Sequence, residues 1–507
     1  MTSHALPNLI HLSPLEGYMP HAYVRHMYCF PTTTLHAVET LRQGLSGLTR
    51  DVPYILSRVI SDRLKTGSGL ALSTPDQSLE DIFSWHDLSA SIDYVALKAA
   101  GFPPTTFQSP GIVPPGSQPP CPDPPAVFLA RVSLVKGGLI LCVAVHHRTT
   151  DITGFGSLLT IWASHCRNGS SHEIGFSDSW MDRGMLSNQS QILPGSDPIA
   201  IPDLLHVTTP AEFAEPAGRS QVEPINYQTG IFYFPQERLQ ALKEAVNAHL
   251  ASREVGSWVS TSDVLSSLLW SAVIEATESS PAISSNGKVA DIRTSTLSFP
   301  VQFRSILRPP LPQNYLGAAF IMTNAKASHA DLFSISHANI PAPGQTSKLG
   351  PHIGAHVETI HIPALASTAL AIRRSIKEID NIAVRRVLSY LEAHPNPDPG
   401  APLILGRRRN DPEGTGTSVV SWADHGIHKL DWGDTVGRCE AVRLPKMRSR
   451  RNPIVLPRVP GLNRGITEDT GIDRGGLEVI MSYEDSVMHK LIEGPVIKRL
   501  AVLRCLS

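Results

Sequence analysis

Residues 139–154, LILCVAVHHRTTDITG, are the part of the sequence that most clearly indicates the architecture of this chain. The stretch begins with an apolar run that is typical of a buried strand, continues through a polar turn and reaches Gly154, which lets the backbone turn tightly. The apolar positions that follow fall on one face of a helix: Phe155, Leu158, Leu159 and Trp162. The order strand, turn, helix predicts an α/β protein.

A second apolar run precedes this stretch. Residues 127–134 and 139–145 read as two strands joined at Lys136-Gly137-Gly138, a turn that accepts positive φ. Residues 102–125 are so rich in proline that we predict a mobile surface loop with neither helix nor central strand. The hydrophobic second strand therefore delivers His146 and His147 at its carboxyl end.

The chain has 507 residues, more than a single hydrophobic core usually serves, so we predict two domains. Residues 1–190 form the first, 191–230 a Ser- and Pro-rich crossover, and 231–507 the second. Amphipathic periodicity predicts helices from Leu35, from Pro235 and after Ser260. Residues 325–360 and 446–475 lack clear periodicity, and we interpret them as insertions or long loops.

Composition excludes several classes of function. Lysine plus arginine number 44 and aspartate plus glutamate 45, so no field of one sign favours nucleic acid. The six cysteines show no paired spacing, which predicts reduced thiols, and no apolar run approaches the length of a membrane span. We expect a monomeric cytoplasmic protein.

His147 and Asp151 form an H-x-x-x-D pattern at the strand-to-turn transition. A neutral imidazole, whose ordinary pKa lies near ~6.5, can accept a proton from an attacking hydroxyl. Two alternatives stay open at this point: an ordinary surface turn, or a metal site that also uses His146. Neighbouring strand residues point to opposite faces, so the two histidines reach one ion with difficulty, and we predict no metal.

Further motifs accompany this pattern. His146-His147-Arg-Thr-Thr-Asp151 and the block Asp431-Trp-Gly433-Asp-Thr-Val-Gly437 occur in the order seen in BAHD acyltransferases. Shorter matches lie between and around them: Leu12-Ser-Pro-Leu15, Ser260-Thr-Ser-Asp263, Arg304-Ser, Tyr315-Leu-Gly317 and Gly475-Gly-Leu-Glu478. The chain most resembles the fungal secondary-metabolism branch of that family, which includes trichothecene O-acetyltransferases.

The resemblance implies two chloramphenicol-acetyltransferase-like α/β domains with a substrate channel between them. It implies transfer of an acyl group, most often acetyl, from acyl-CoA to a hydroxylated small molecule, with His147 as general base and no bound cofactor. Asp151 and Gly433 would then be structural, Asp151 pairing with an arginine that secures the turn. Asp431 would pair with Arg304 in an architectural role.

Less specific roles follow from position. Ser260 and Thr261 are candidates for contacts with CoA at a helix start, where free N–H groups favour anions, although a simple N-cap explains them equally well. Thr150 and Trp422 are candidates for the channel wall. The alternative explanation for Thr150 is the ordinary polarity of a loop, and for Trp422 it is packing in the core. Two other functions stay open: N-acylation of an amine, and a catalytically idle homologue that only binds in the channel.

Overall fold

The computed structural model describes most of the chain. The described residues are 9–62, 68–168, 171–187, 207–208, 226–253, 256–278, 293–337, 359–394, 404–405, 416–447, 451–461 and 475–507. Most of the predicted crossover, 191–230, lies outside them. The division into domains at that crossover therefore stays a prediction.

The strands fall into sheets from both halves of the sequence. They are β1 (Ile10–His11), β2 (Tyr23–Phe30), β3 (Val59–Ser61), β4 (Leu70–Leu72), β5 (Phe83–Asp87), β6 (Phe128–Val135), β7 (Gly138–His146), β8 (Val207–Thr208), β9 (Tyr227–Pro235), β10 (Thr294–Gln302), β11 (Phe320–Ser328), β12 (Ile404–Leu405), β13 (Thr417–Ser418), β14 (Val420–Ser421), β15 (Ala441–Arg443), β16 (Arg451–Val455), β17 (Val459–Pro460), β18 (Gly475–Glu484) and β19 (Val502–Leu506).

The α-helices alternate with these strands. They are α1 (Leu35–Asp51), α2 (Leu79–Ile82), α3 (Tyr94–Ala99), α4 (Ile152–Asn168), α5 (Gln236–Ala251), α6 (Thr261–Thr277), α7 (His329–Ser334), α8 (Ile362–Lys377), α9 (Asn381–Ala393), α10 (Asp485–Glu493) and α11 (Pro495–Leu500). Short 3-10 turns join several of them. No helix in the described part of the chain is long and apolar enough to cross a membrane.

The first large sheet has the strand order β15-β2-β7-β6-β5. The predicted hairpin is confirmed: β6 and β7 run antiparallel, and Gly137 in their turn has a φ of +81°. The helix predicted from Leu35 is confirmed as α1, which packs against α4, and the indole of Trp162 donates a hydrogen bond of 2.8 Å to the backbone oxygen of Leu41. The strand–turn–helix order read from residues 139–162 is thus observed.

The second half builds two further sheets, β14-β16-β18-β9-β19 and β11-β10-β13. The buried helix predicted after Ser260 is confirmed as α6, which begins with a capping box between Ser260 and Asp263. Trp270 in its centre is fully buried, and its indole donates 2.9 Å to the Ser295 hydroxyl on β10. Helices α5 and α8 pack against α6, so this half has its own core.

One segment of the second half belongs spatially to the first. Strand β15 pairs with β2, with Ala441 opposite Cys29, and the fully buried Trp432 packs in the core of the first sheet. The indole of Trp432 lies 5.5 Å from that of Trp162. The carboxyl-terminal half therefore supplies a strand and a core aromatic side chain to the amino-terminal half.

Three loop predictions need correction. The stretch 325–360 contains the end of β11 and helix α7, with residues 338–358 outside the described part, and 446–475 contains β16 and β17, with 448–450 and 462–474 outside it. Residues 102–125 lack α-helix and strand, as predicted, but they hold the fully buried Phe107 and Ile112 and include a 3-10 turn at Thr106–Gln108. Apolar anchors among the prolines, which periodicity does not register, fix this loop against β6.

Candidate active site

The H-x-x-x-D turn is fixed by its own backbone. Strand β7 ends at His146, a 3-10 turn covers His147–Thr149, and Thr150 is extended before α4 begins. The His147 N–H donates to the Ala22 oxygen at 2.8 Å, and the Thr149 hydroxyl donates to the His146 oxygen at 2.8 Å. His147 stays partly exposed, whereas its neighbours on either side are buried. The turn thus presents one imidazole to solvent.

The Asp151 carboxylate points away from that imidazole and into the protein. It is 5% exposed, and Arg304 donates to both of its oxygens at 2.8 Å. The backbone N–H groups of Gly154 and Ala319 add bonds of 2.9 Å each. Burial alone would raise the pKa of Asp151, but Arg304 and these donors outweigh it and hold the pKa below its ordinary value. Asp151 is therefore an anion whose partner is Arg304.

Arg304 reaches the turn from the second half of the chain. It follows β10, is fully buried, and also donates to the backbone oxygens of Tyr315 at 2.8 Å and Gly317 at 3.0 Å. Gly154 lies against the same loop: a Cβ on Gly154 would stand 2.4 Å from the Leu316 oxygen. The glycine seen in the sequence is thus needed for close approach of two backbones.

The predicted pair of Asp431 with Arg304 is wrong. Both terminal nitrogens of Arg304 are used by Asp151 and by backbone oxygens, and the Asp431 carboxylate instead accepts a 3.0 Å bond from the N–H of Gly433. Gly433 has a φ of +84°, which favours glycine, and its oxygen accepts from Gly437 at 2.8 Å. The block closes a turn beneath Trp432.

A second buried ion pair supports the turn, and sequence reasoning missed it. Glu16 and Arg183 have side chains that are 0% and 2% exposed, with the Nε of Arg183 donating to Glu16 at 3.2 Å. Arg183 also donates to the backbone oxygen of Thr149 at 2.8 Å. Glu16 directly follows the quoted Leu12–Leu15 motif, and that adjacency was the available signal. Both ion pairs therefore converge on the residues that follow His147.

The two channel candidates differ in their surroundings. The Thr150 hydroxyl is buried and donates to the Asp151 oxygen at 3.0 Å, while Trp422 is 8% exposed and lies 4.7 Å from the His26 ring. Core packing is thus the observed environment of Trp422. His425, which donates its N–H to the Trp422 oxygen at 3.0 Å, is partly exposed near Asp151, and burial lowers its pKa. His425 thus lies close enough to interact electrostatically with Asp151 and Arg304, and the sequence analysis did not single it out.

Ser260 serves as a helix cap. Its hydroxyl lies 2.9 Å from Asp263 and accepts from the Asp263 N–H, and Arg373 donates to the same carboxylate at 2.9 Å. Asp263 also accepts from the Ser260 N–H at 2.7 Å. The predicted contact of Ser260 and Thr261 with CoA stays a prediction.

The described side chains also bear on metal binding. The considered set of His146, His147 and Asp151 lacks its carboxylate, because Arg304 and two backbone N–H groups occupy both Asp151 oxygens. A different group, His21, Cys121 and His146, brings three ligand atoms together behind the turn.

Two family models match the chain. A trichothecene 3-O-acetyltransferase-like N-terminal domain covers residues 23–166, and the transferase family covers residues 119–340. Together they include the H-x-x-x-D turn, Arg183 and Arg304. The chain is an acyltransferase that resembles the BAHD family over residues 23–340.

Curated fungal proteins resemble it over most of their length. The O-acetyltransferase ptmV of Penicillium ochrochloron is 25% identical over 97% of this chain and 96% of its own. The trichothecene 3-O-acetyltransferase TRI101 of Fusarium sporotrichioides is 26% identical over 81% of this chain and 80% of its own.

Solved structures confirm the predicted fold. The structure of Fusarium graminearum TRI101 complexed with coenzyme A and T-2 mycotoxin superposes with a TM-score of 0.70 at 20% identity, covering 98% of this chain and 99% of that one. Vinorine synthase gives 0.57 at 14% identity, covering 98% and 95%. The mixed α/β architecture with two chloramphenicol-acetyltransferase-like domains is therefore that of this chain.

Proposed function

We propose that this acyltransferase moves an acetyl group from acetyl-CoA to a hydroxyl of a small secondary metabolite, with His147 as general base. The observation that carries the proposal is the different exposure of two residues in the turn: His147 is partly exposed, whereas Asp151 is buried and bound to Arg304. Asp151 is thus unavailable as the relay partner of a Ser-His-Asp arrangement, and the imidazole must act without it.

The reaction needs only one such group. The imidazole takes the proton of the acceptor hydroxyl as the oxygen attacks the thioester carbonyl, and the tetrahedral adduct expels the CoA thiolate. The imidazolium then returns its proton to that thiolate, so His147 ends neutral. Acetyl-CoA is a co-substrate in this scheme, and the channel between the halves would hold both reactants.

Two findings about relatives support the proposed donor and acceptor. Relatives of this chain are named O-acetyltransferases, and a TRI101 structure contains coenzyme A together with T-2 mycotoxin. Oxygen rather than nitrogen is therefore the favoured acceptor atom. The scaffold of the acceptor depends on channel shape, which the motifs leave open.

The test pairs a histidine variant with a matched control. Purified protein is incubated with acetyl-CoA and fractions of hydroxylated fungal metabolites, and mass spectrometry follows acetylated products. His147→Ala should lower the rate by about 10²–10⁴ without changing the melting temperature, whereas His86→Ala, at an exposed histidine on β5, should act like the parent.

Each outcome decides between the candidate functions. Unchanged turnover in His147→Ala refutes the general-base role. Products formed only with amines would establish the N-acyltransferase alternative, and tight acetyl-CoA binding without turnover on any acceptor would establish the idle homologue.

A further inference from the structure

A cluster of metal-ligating side chains lies behind the catalytic turn. The ligand atoms of His21, Cys121 and His146 all stand within 4.8 Å of one another. The His21 and His146 rings meet edge to face, with their centroids 5.1 Å apart. The three residues come from the segment before β2, the proline-rich stretch and the end of β7. Distant parts of the chain thus converge on one point.

The buried and unpartnered ring of His146 is the observation that indicates a ligand. It is 0% exposed, and neither of its ring nitrogens has a hydrogen-bond partner. Buried polar atoms are almost always satisfied, and leaving one unpaired costs about 1–3 kcal/mol. The Nδ1 of His21 likewise has no partner. Burial lowers the pKa of both imidazoles, so both are neutral and offer a lone pair.

We propose that His21, Cys121 and His146 bind a zinc ion. Two imidazoles and one thiolate are ligands that Zn²⁺ accepts in tetrahedral sites, with a water in the fourth position. Zn–N and Zn–S bonds of about 2.0–2.3 Å set neighbouring ligand atoms about 3.3–3.8 Å apart. The ligand atoms stand no more than 4.8 Å apart, so zinc binding requires a contraction of at most about 1–1.5 Å.

The surrounding charges act on the ion in both directions. Arg148 acts on all three side chains and Arg25 acts on Cys121 in the sense that disfavours a cation and favours a thiolate, whereas Asp123 acts in the opposite direction on His21. Burial raises the pKa of the Cys121 thiol, but a bound zinc ion deprotonates a coordinating thiol outright. The thiolate then contributes one negative charge toward the two positive charges of the ion.

Such an ion would fasten the proline-rich stretch to the catalytic turn. Cys121 would be tied to His146, the residue before His147, and to His21, which precedes Ala22. The Ala22 oxygen accepts the N–H of His147. The ion is thus placed to support the turn from behind. It stands apart from the transfer reaction, for which we predict no metal.

The test measures the metal itself. Full-length protein, stripped with a chelator, is titrated with Zn²⁺ against a chromophoric competitor, and with Co²⁺ as a spectroscopic probe. The parent should bind one equivalent of Zn²⁺ and melt at a higher temperature with it, and the Co²⁺ form should show a thiolate charge-transfer band. Cys121→Ala should lose this band and bind Zn²⁺ at least about 100-fold more weakly.

The controls separate this site from other thiols. Cys505→Ala removes a half-buried cysteine on β19, outside the cluster, and should keep both the stoichiometry and the cobalt band. His21→Ala provides a second ligand variant if Cys121→Ala does not fold. The proposal is overturned if the parent takes up no stoichiometric Zn²⁺, or if the cobalt band persists in Cys121→Ala.

Discussion

The buried pair of Asp151 and Arg304 is the feature whose removal should be felt most widely. Asp151→Ala leaves a guanidinium that is 0% exposed without its counter-charge. Loss of one partner of a buried pair costs about 3–5 kcal/mol. Arg304 would keep only the backbone oxygens of Tyr315 and Gly317, and the N–H groups of Gly154 and Ala319 would lose their acceptor.

That loss converts into a measurable melting shift. Unfolding entropy of about 2.1 cal/mol/K per residue gives about 1.1 kcal/mol/K for the 507-residue chain. A loss of 3–5 kcal/mol then lowers the melting temperature by about 3–5 °C if the chain unfolds as one unit, and by about twice that if one half unfolds alone. Scanning calorimetry of parent and Asp151→Ala measures the shift directly.

A surface pair provides the matched control. Arg42 and Glu80 have side chains that are 42% and 67% exposed, and solvent screens such surface pairs, so Glu80→Ala should melt within about 1 °C of the parent. In the Arg304→Met background, Asp151→Ala should lower the unfolding free energy by less than it does in the parent, because no unpaired buried charge is left behind. The buried ion pair would be refuted if the stability losses of the two single variants simply add in the double variant. It would also be refuted if Asp151→Ala melts at the same temperature as the parent.

The pH dependence of the same pair has a definite sign. Because Arg304 holds the folded-state pKa of Asp151 below its unfolded value near ~3.9, the pair's contribution is fully present above that value. It is lost as the pH falls through the folded-state pKa. The difference in unfolding free energy between the parent and Asp151→Asn should therefore be constant near neutrality and narrow below about pH 4. A difference that grows on acidification contradicts an ionised Asp151.

Three further expectations concern single positions. Gly154→Ala should lower both melting temperature and turnover, because its Cβ would stand 2.4 Å from a facing backbone oxygen, whereas Gly426→Ala, with open space at its Cβ, should change neither in the same assays. Burial lowers the pKa of His26 to about 3, so the folded protein loses stability as the pH drops below the unfolded-state pKa of about 6.5. Urea unfolding of the parent at about pH 7.5 and pH 5 measures this loss of unfolding free energy, and the loss should be about 2 kcal/mol smaller in His26→Gln. Asp431→Ala should lower the unfolding free energy by only about 1 kcal/mol, measured by calorimetry, because the Asp431 carboxylate accepts one hydrogen bond from Gly433. A loss of about 3–5 kcal/mol would instead support a buried ion pair of Asp431.

Local patterns in the sequence carried most of the fold. The periodicities that predicted α1, α4 and α6, and the glycine turn between β6 and β7, act over a few residues and are legible without tertiary contacts. Strand β15 is three residues long, so its periodicity says nothing about which sheet it joins. Its place beside β2 is decided by packing and not by local preference.

The candidate site was predictable in its residues but not in their pairing. The resemblance predicted that Asp151 pairs with an arginine, but Arg304 lies 153 positions further along the chain, where no local pattern identifies it as that partner, and the resemblance assigned Arg304 to Asp431 instead. Glu16 and Arg183 were missed for the same reason, since they are separated by 167 residues. Ion pairs between distant segments depend on the closed fold, which spacing within a motif cannot report.

The H-x-x-x-D pattern alone suits an ordinary surface turn, but here the turn is held from outside. Arg304, which follows β10 in the sequence, binds Asp151, and Arg183 binds the backbone oxygen of Thr149. Segments distant in the chain therefore fix the position of His147. A surface turn would leave its aspartate hydrated, whereas this carboxylate is 5% exposed and accepts four bonds. The expected phenotypes divide accordingly. Loss of His147 should remove chemistry and spare stability, while loss of Asp151 should lower both, because it releases the turn that aims the imidazole.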